Sequence, residues 1–237
     1  LLRVQHFHDK IHFMKKKAFE VSRLPLFDGI SADALSPLLV CLAGHEKNFS
    51  KGEIIILEED QVRNVGVTME GTVLMTKEDI WGNQTILAYM GPGDLFGETF
   101  AVRQKDQNSF VSFVASTDCR IYFVSFDRIL HTCHKACGFH HKVIENMMDL
   151  VSAKNIRLME KIEVTSKNTL REKILTYLSI QVQKQQSNQV EIALNRSELA
   201  GYLDSNRCAM TRELSHLKEE GVLDYDRNTF RVKALPQ

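Results

Sequence analysis

The chain of 237 residues has no long apolar run. Its longest aliphatic block is Ile54-Ile55-Ile56-Leu57, far short of the roughly 18 residues of a membrane helix. No basic-then-apolar leader opens it, and there is no initial Met, which leaves room for a longer natural chain. Five cysteines are an odd and thinly spread number, which fits a reducing cytoplasm better than a disulfide scaffold. No internal repeat or low-complexity tract stands out. Hydrophobic content of 43% and charge of 25% are ordinary for a folded globular protein. The length suits one large or two modest domains.

Net charge is also missing: 30 basic side chains face 30 acidic ones. Such a balance would count against a nucleic-acid binder. The charges are sorted along the chain, however. Residues 1–23 carry six basic and two acidic groups, and residues 24–150 carry ten and seventeen. Residues 151–165 carry three and two, and residues 166–237 carry eleven and nine. An acidic middle hides mildly basic ends.

What is there comes in three textures. Ser31 reads as the cap of a short helix through Ala34, Leu35 and Leu38. From Lys51 to about Phe126, short β-prone runs alternate with turn signals. The runs are 54–57, 65–69, 72–76, 85–89, 110–115 and 120–124, and Gly82-Asn83 reads as a hairpin turn. Many short strands with Gly-rich turns predict a β-roll or barrel. From about His140 to Glu163 the pattern is one long helix. Ile144, Met148, Val151, Asn155, Leu158 and Ile162 alternate in steps of four and three. That heptad seam predicts a partner helix, with polar Asn155 fixing the register. Beyond Thr165 shorter helices return.

The sharpest signal runs from Asn195 to Lys218. Asn195 caps a helix with Glu198 as its capping-box partner. Leu199, Ala200 and Leu203 make an apolar face, Asp204-Ser205 turns the chain, and Asn206 caps a second helix. Met210, Leu214 and Leu217 are its inner face; Arg207, Cys208, Thr211 and Arg212 are its outer one. This is a helix-turn-helix, whose second helix enters the DNA major groove. Arginine there suits the paired acceptors of guanine or a phosphate oxygen. The predicted DNA contacts are Arg196, Ser205, Asn206, Arg207, Cys208, Thr211 and Arg212. Val222–Tyr225 and Thr229–Val232, around Asp226-Arg227-Asn228, add a wing.

With Lys51-Gly52-Glu53, Glu70-Gly71-Thr72-Val73 and Gly91-Pro92-Gly93-Asp94-Leu95-Phe96-Gly97-Glu98, the chain resembles the Crp/Fnr family of bacterial transcription regulators over residues 24–235. The resemblance implies an α+β architecture: an N-terminal, double-stranded jelly-roll-like β-roll, a long dimerisation helix and a C-terminal winged helix-turn-helix. The expected divisions are an extension (1–23), a cyclic-nucleotide-binding-like sensor domain (24–138), the dimerisation helix (139–164) and the DNA-binding domain (165–237). It further implies a cytoplasmic homodimer on a palindromic double-stranded DNA site, an effector, and RNA polymerase as a possible further partner. The effector is an unknown small molecule, no cofactor is assigned, and no membrane partner is expected.

The family's nucleotide site maps to Gly97, Glu98 and Thr99, with Ser109 and Phe110 where nucleotide binders carry Arg-Ser. A cyclic phosphate without its arginine is poorly compensated. Arg157 on the long helix is a substitute cation to consider, but tight cyclic AMP binding is not expected. Cys208 stands where activators of the family carry a carboxylate, which should alter the preferred half-site.

Three further readings are weighed. His131, Cys133, His134, Cys137, His140 and His141 are metal-ligand types, yet the cysteine spacing is not the usual zinc pattern, and the cluster is read as a junction helix without metal. A cupin-like metal enzyme needs histidines inside the roll, and the runs from Ile54 to Val124 hold none. A signal-binding module acting through protein contacts is the remaining alternative. Lys15-Lys16-Lys17 reads as a solvated face, Trp81 as a cover for the roll, and Cys41 and Cys119 as small core residues.

Overall fold

The computed structural model describes residues 19–82, 84–102, 108–131, 138–192 and 194–233. Lys15–Lys17, Asn83 and the Cys133, His134 and Cys137 part of the histidine–cysteine cluster lie outside them. Two compact units divide the chain, residues 1–152 and 153–237.

The first unit opens with a 3-10 turn at Pro25–Phe27 and helix α1 (Ala32–Cys41). Ser31 stands at the N-cap of α1, although its hydroxyl makes no cap bond. Eight strands follow: β1 (His45–Phe49), β2 (Ile54–Ile56), β3 (Asn64–Glu70), β4 (Val73–Glu78), β5 (Gln84–Met90), β6 (Leu95–Phe96), β7 (Ser112–Ala115) and β8 (Cys119–Ser125). They form two antiparallel four-stranded sheets, in the orders β1-β8-β3-β6 and β2-β7-β4-β5. Consecutive strands fall in different sheets at several points, as the rolled architecture requires.

Alternation places Val65, Val67, Phe113, Ile121 and Phe123 inside, where each is less than a tenth exposed. Burying side chains of this size contributes about 1.5–3 kcal/mol apiece. Gly66 makes room for a ring: a Cβ there would lie 2.4 Å from Phe96 Cζ. Trp81 does not cover the roll. It is 80% exposed, beside Ile80, at the outer end of the β4–β5 hairpin.

Helices α2 (Glu98–Ala101) and α3 (Phe126–Leu130) are short, and α4 (Gly138–Thr165) is long. α4 runs across the division between the units. The expected seam residues divide between two settings. Ile144 and Val151 pack against the core of the first unit, whereas Met148, Ile156, Leu158, Met159 and Ile162 are exposed. Asn155 is exposed too. Heptad spacing marks an apolar stripe but does not say which side of it the chain's own core takes.

Near the start of α4, His140 is buried with its Nε2 3.6 Å from Cys41 Sγ. Burial pushes its imidazole below the usual histidine range, and His141 adds to the effect. A folded state that resists protonation loses stability as pH falls below the unfolded histidine value of about 6.5, because the unfolded chain takes up the proton. Urea unfolding midpoints should therefore drop between about pH 7.5 and 5.5. His140→Gln should shrink that drop.

In the second unit, Thr169 caps α5 (Leu170–Gln185) in a full capping box with Glu172. Helices α6 (Arg196–Tyr202) and α7 (Arg207–Glu219) follow, and strands β9 (Gln189–Glu191), β10 (Leu223–Asp226) and β11 (Thr229–Val232) pair in the order β10-β11-β9. A core of its own holds the unit together, including Ile174, Leu178, Leu199, Leu203, Met210, Leu214, Leu217, Leu223 and Phe230.

Candidate nucleic-acid interface and sensor site

The two cap residues build the helix-turn-helix. Asn195 Oδ1 accepts from the N–H groups of Ser197 and Glu198 at 2.9 and 3.0 Å, and Glu198 Oε2 accepts from Asn195 N–H at 2.8 Å. Between the helices, Asp204 adopts φ 50°, which turns the chain within three residues. Asn206 Oδ1 then accepts from Ala209 N–H at 2.8 Å and starts α7. Helix α7 ends before Gly221, whose φ of 75° suits a C-terminal glycine.

With Met210, Leu214 and Leu217 buried, the 3.6-residue period turns Arg207, Cys208, Thr211 and Arg212 outward. All four are exposed, Asn206 beside them is exposed, and Ser205 is half-buried. The Thr211 hydroxyl donates to Arg207 O at 2.8 Å and keeps its acceptor lone pairs.

Electrostatics sort the two sides of α7. Arg171 ties Glu213 and Glu220 behind the helix, and its guanidinium holds the Glu220 carboxyl below the ordinary range. Lys218 holds Asp224 at 2.7 Å in the same manner. Among the described residues, neither Arg207 nor Arg212 takes part in an ion pair. Exposed pairs contribute little stability. Their effect here is to keep carboxylates away from the outward arginines.

Arg196 is placed differently from the others. Its guanidinium lies 4.6 Å from the Phe230 ring centroid and 5.0 Å from that of Tyr225. Its Nη2 donates to Arg227 O at 2.6 Å. Burial lowers its pKa from the usual guanidinium value. Arg196 thus fastens the start of α6 to the wing. Two cations escaped the sequence reading: Arg227 at the wing tip, with φ 48°, and Arg231 on β11, both exposed. The signal for Arg227 was present, as a basic residue inside a hairpin turn, but it was read only as a turn.

In the first unit, Gly97 adopts φ 81° at the start of α2, and Glu98 is buried there. Thr99 Oγ1 donates to Glu98 Oε1 at 3.4 Å. Ser109 is fully buried, and its hydroxyl donates to Val111 O at 2.6 Å. Its backbone bridges to Glu59 N–H and Asp60 O. The Phe110 ring meets Phe100 edge-on, with centroids 5.1 Å apart. At the two positions where the resemblance expects a cation and a free hydroxyl, the chain has a committed hydroxyl and an aromatic ring. Arg157 lies on the exposed part of α4 that belongs to the second unit. Among the described residues, no three His, Cys, Asp or Glu side chains converge as metal ligands. No described helix is long and apolar enough to cross a membrane.

Residues 46–136 match the cyclic nucleotide-binding domain, and residues 172–237 match the Crp-like helix-turn-helix domain. A sensor domain of the first type followed by a reading head of the second defines a DNA-binding transcription regulator. The chain belongs to the Crp/Fnr family. Solved structures agree on the fold. CprK complexed with OCPA superposes with a TM-score of 0.63 at 17% identity, over 84% of this chain and 90% of that one. The c-di-GMP responsive global regulator CLP of Xanthomonas campestris gives 0.58 at 15%, over 84% and 98%. A CooA variant from Carboxydothermus hydrogenoformans gives 0.57 at 19%, over 83% and 86%. Among curated proteins, the cAMP-dependent protein kinase regulatory subunit of Dictyostelium discoideum is 26% identical over 121 residues, half of this chain. The match spans about a third of that relative's length, at 32%. The two matched domains are those of regulators and not of enzymes, which counts against the cupin-like reading.

Proposed function

We propose that the protein acts as a homodimer on a palindromic DNA site and answers a signal received at the β-roll. One observation carries this reading: α7 presents Arg207, Cys208, Thr211 and Arg212 on a face free of ion-paired carboxylates. Two such helices, related by a two-fold axis through paired α4 helices, would read half-sites one DNA turn, about 34 Å, apart. The exposed apolar side chains of α4 supply the pairing surface. The signal would shift the dimer between two arrangements by binding one better than the other. Selection of genomic fragments by the purified protein tests the reading. An enriched palindrome with that spacing is expected. Failure to enrich any fragment would overturn it in favour of a module that acts through protein contacts.

The effector is a small molecule other than cyclic AMP. A buried cyclic phosphate at Ser109 and Phe110 would gain no charge-assisted bond from either side chain. Related folds are not tied to one effector class, since CprK holds OCPA and CLP responds to c-di-GMP. Calorimetric titration with cyclic AMP should give no micromolar binding. A micromolar dissociation constant would reverse this assignment.

A further inference from the structure

Residues 207–212, the leading turns of α7, read Arg-Cys-Ala-Met-Thr-Arg and hold no carboxylate and no carboxamide. The flanking carboxylates along the chain are Asp204, in the turn before the cap, and Glu213, held by Arg171. Asn206 Oδ1 is occupied by Ala209 N–H at 2.8 Å. The leading half of the helix is therefore rich in donors and poor in acceptors. Such a face suits the bases that turn acceptors toward it in the major groove, guanine and thymine.

The order of side chains around the helix narrows the choice. At about 100° per residue, the exposed ones follow as Arg207, Thr211, Cys208 and Arg212, over an arc of about 140°. The two small side chains stand in the middle and the two cations at the rims. Cys208 and Thr211 are three residues apart, the spacing of direct neighbours on a helix surface. Cys208 is a free, exposed thiol, which behaves as a small apolar group. Thr211 gives its hydroxyl proton to Arg207 O at 2.8 Å and has none left for a base. Its methyl joins the thiol as the apolar part of the face. Among the four bases, thymine alone carries a methyl group on its major-groove edge.

We infer that Cys208 and Thr211 together seat the C5-methyl group of one thymine in each half-site, beside a guanine taken by a flanking arginine. The inference rests on the DNA-binding reading above and names the base that the middle of α7 selects. Thymine O4 would accept from the arginine donors on either side. Cytosine would turn its amine, a second donor, toward the same donors. Uracil would offer the same O4 and leave the slot between thiol and methyl unfilled. Thymine is thus chosen by shape as well as by hydrogen bonding.

The test uses the full chain and the palindrome recovered by genomic selection, with affinities read by fluorescence anisotropy. Each thymine is replaced in turn by uracil, in both half-sites at once. Cytosine and 5-methylcytosine are then placed at the position that responds. One thymine position is expected to lose about 15-fold, or about fourfold for each half-site. There, 5-methylcytosine should bind more tightly than cytosine by about the same factor. Cys208→Ser with Thr211→Ser should bring the uracil penalty down to about twofold or less. Both side chains are exposed, and circular dichroism melts establish that the variant folds. If selection enriches no fragment, the DNA-binding reading falls and this inference falls with it. If a palindrome is enriched but every uracil replacement stays within about twofold, this inference alone is overturned. It is also overturned if the folded double variant keeps the full penalty, or if 5-methylcytosine binds no tighter than cytosine.

Discussion

Arg207→Ala is expected to weaken specific operator binding by the proposed dimer about 30-fold to 10⁴-fold. A good bidentate contact to a base is worth about 1–3 kcal/mol. The substitution occurs in both subunits, so about 2–6 kcal/mol is at stake, and each 1.4 kcal/mol is about tenfold. Arg207 is exposed at the first position of α7, outside the buried Met210, Leu214 and Leu217 face, so the fold should survive. Gel shifts on the selected fragment, repeated at several salt concentrations, separate its two possible contacts. A base contact relaxes specificity at one position in each half-site. A phosphate contact lowers affinity evenly across sequences and lowers the salt slope by about one per contact. Unchanged affinity would remove Arg207 from the interface altogether.

The second large effect concerns assembly. If the proposed dimer pairs through α4, Met159→Glu with Ile162→Glu should leave a monomer and lower operator affinity by more than about 100-fold. Met159 and Ile162 are 61% and 66% exposed on one chain. Paired α4 helices would bury them, and two carboxylates per chain would then face their symmetry mates without partners. An uncompensated buried charge costs about 3–5 kcal/mol, far more than a seam of this length can absorb. Once apart, each subunit holds one half-site and loses the gain of two-point attachment. Light scattering and sedimentation read the assembly directly. Ile144→Ala provides the contrast, because Ile144 packs against the first unit's own core. It should lower the melting temperature and leave the mass of the particle unchanged. A double variant that remains dimeric would show that the exposed stripe is not the seam.

That contrast shows what the amino-acid sequence does and does not disclose. The reading head was legible almost residue by residue. Asn195, Glu198 and Asn206 are local devices whose partners lie within three positions. The β-branched runs marked six strands. The missed strands have other reasons. β1 reads His-Glu-Lys-Asn-Phe and is mostly exposed, because it is an edge strand held by β8 through backbone pairing. β6 has two residues and hides in a glycine-rich turn. β9 joins the wing through residues that read as polar linker. The Arg196 clamp was illegible for a similar reason. Its partners are about thirty residues away, so nothing local in the sequence announces them.

The Arg196 clamp has a mechanical consequence. Tyr225, Phe230 and Arg227 O all hold one guanidinium at the start of α6, so the wing is fastened to the helix-turn-helix at three points. On DNA, a wing fastened in this way would move with the helices and not slide separately to soften a poor fit. Mismatches at separate positions would then add their costs independently. The consequence would be a strict reader, which gives up degraded copies of its site in return for sharper rejection of near-matches.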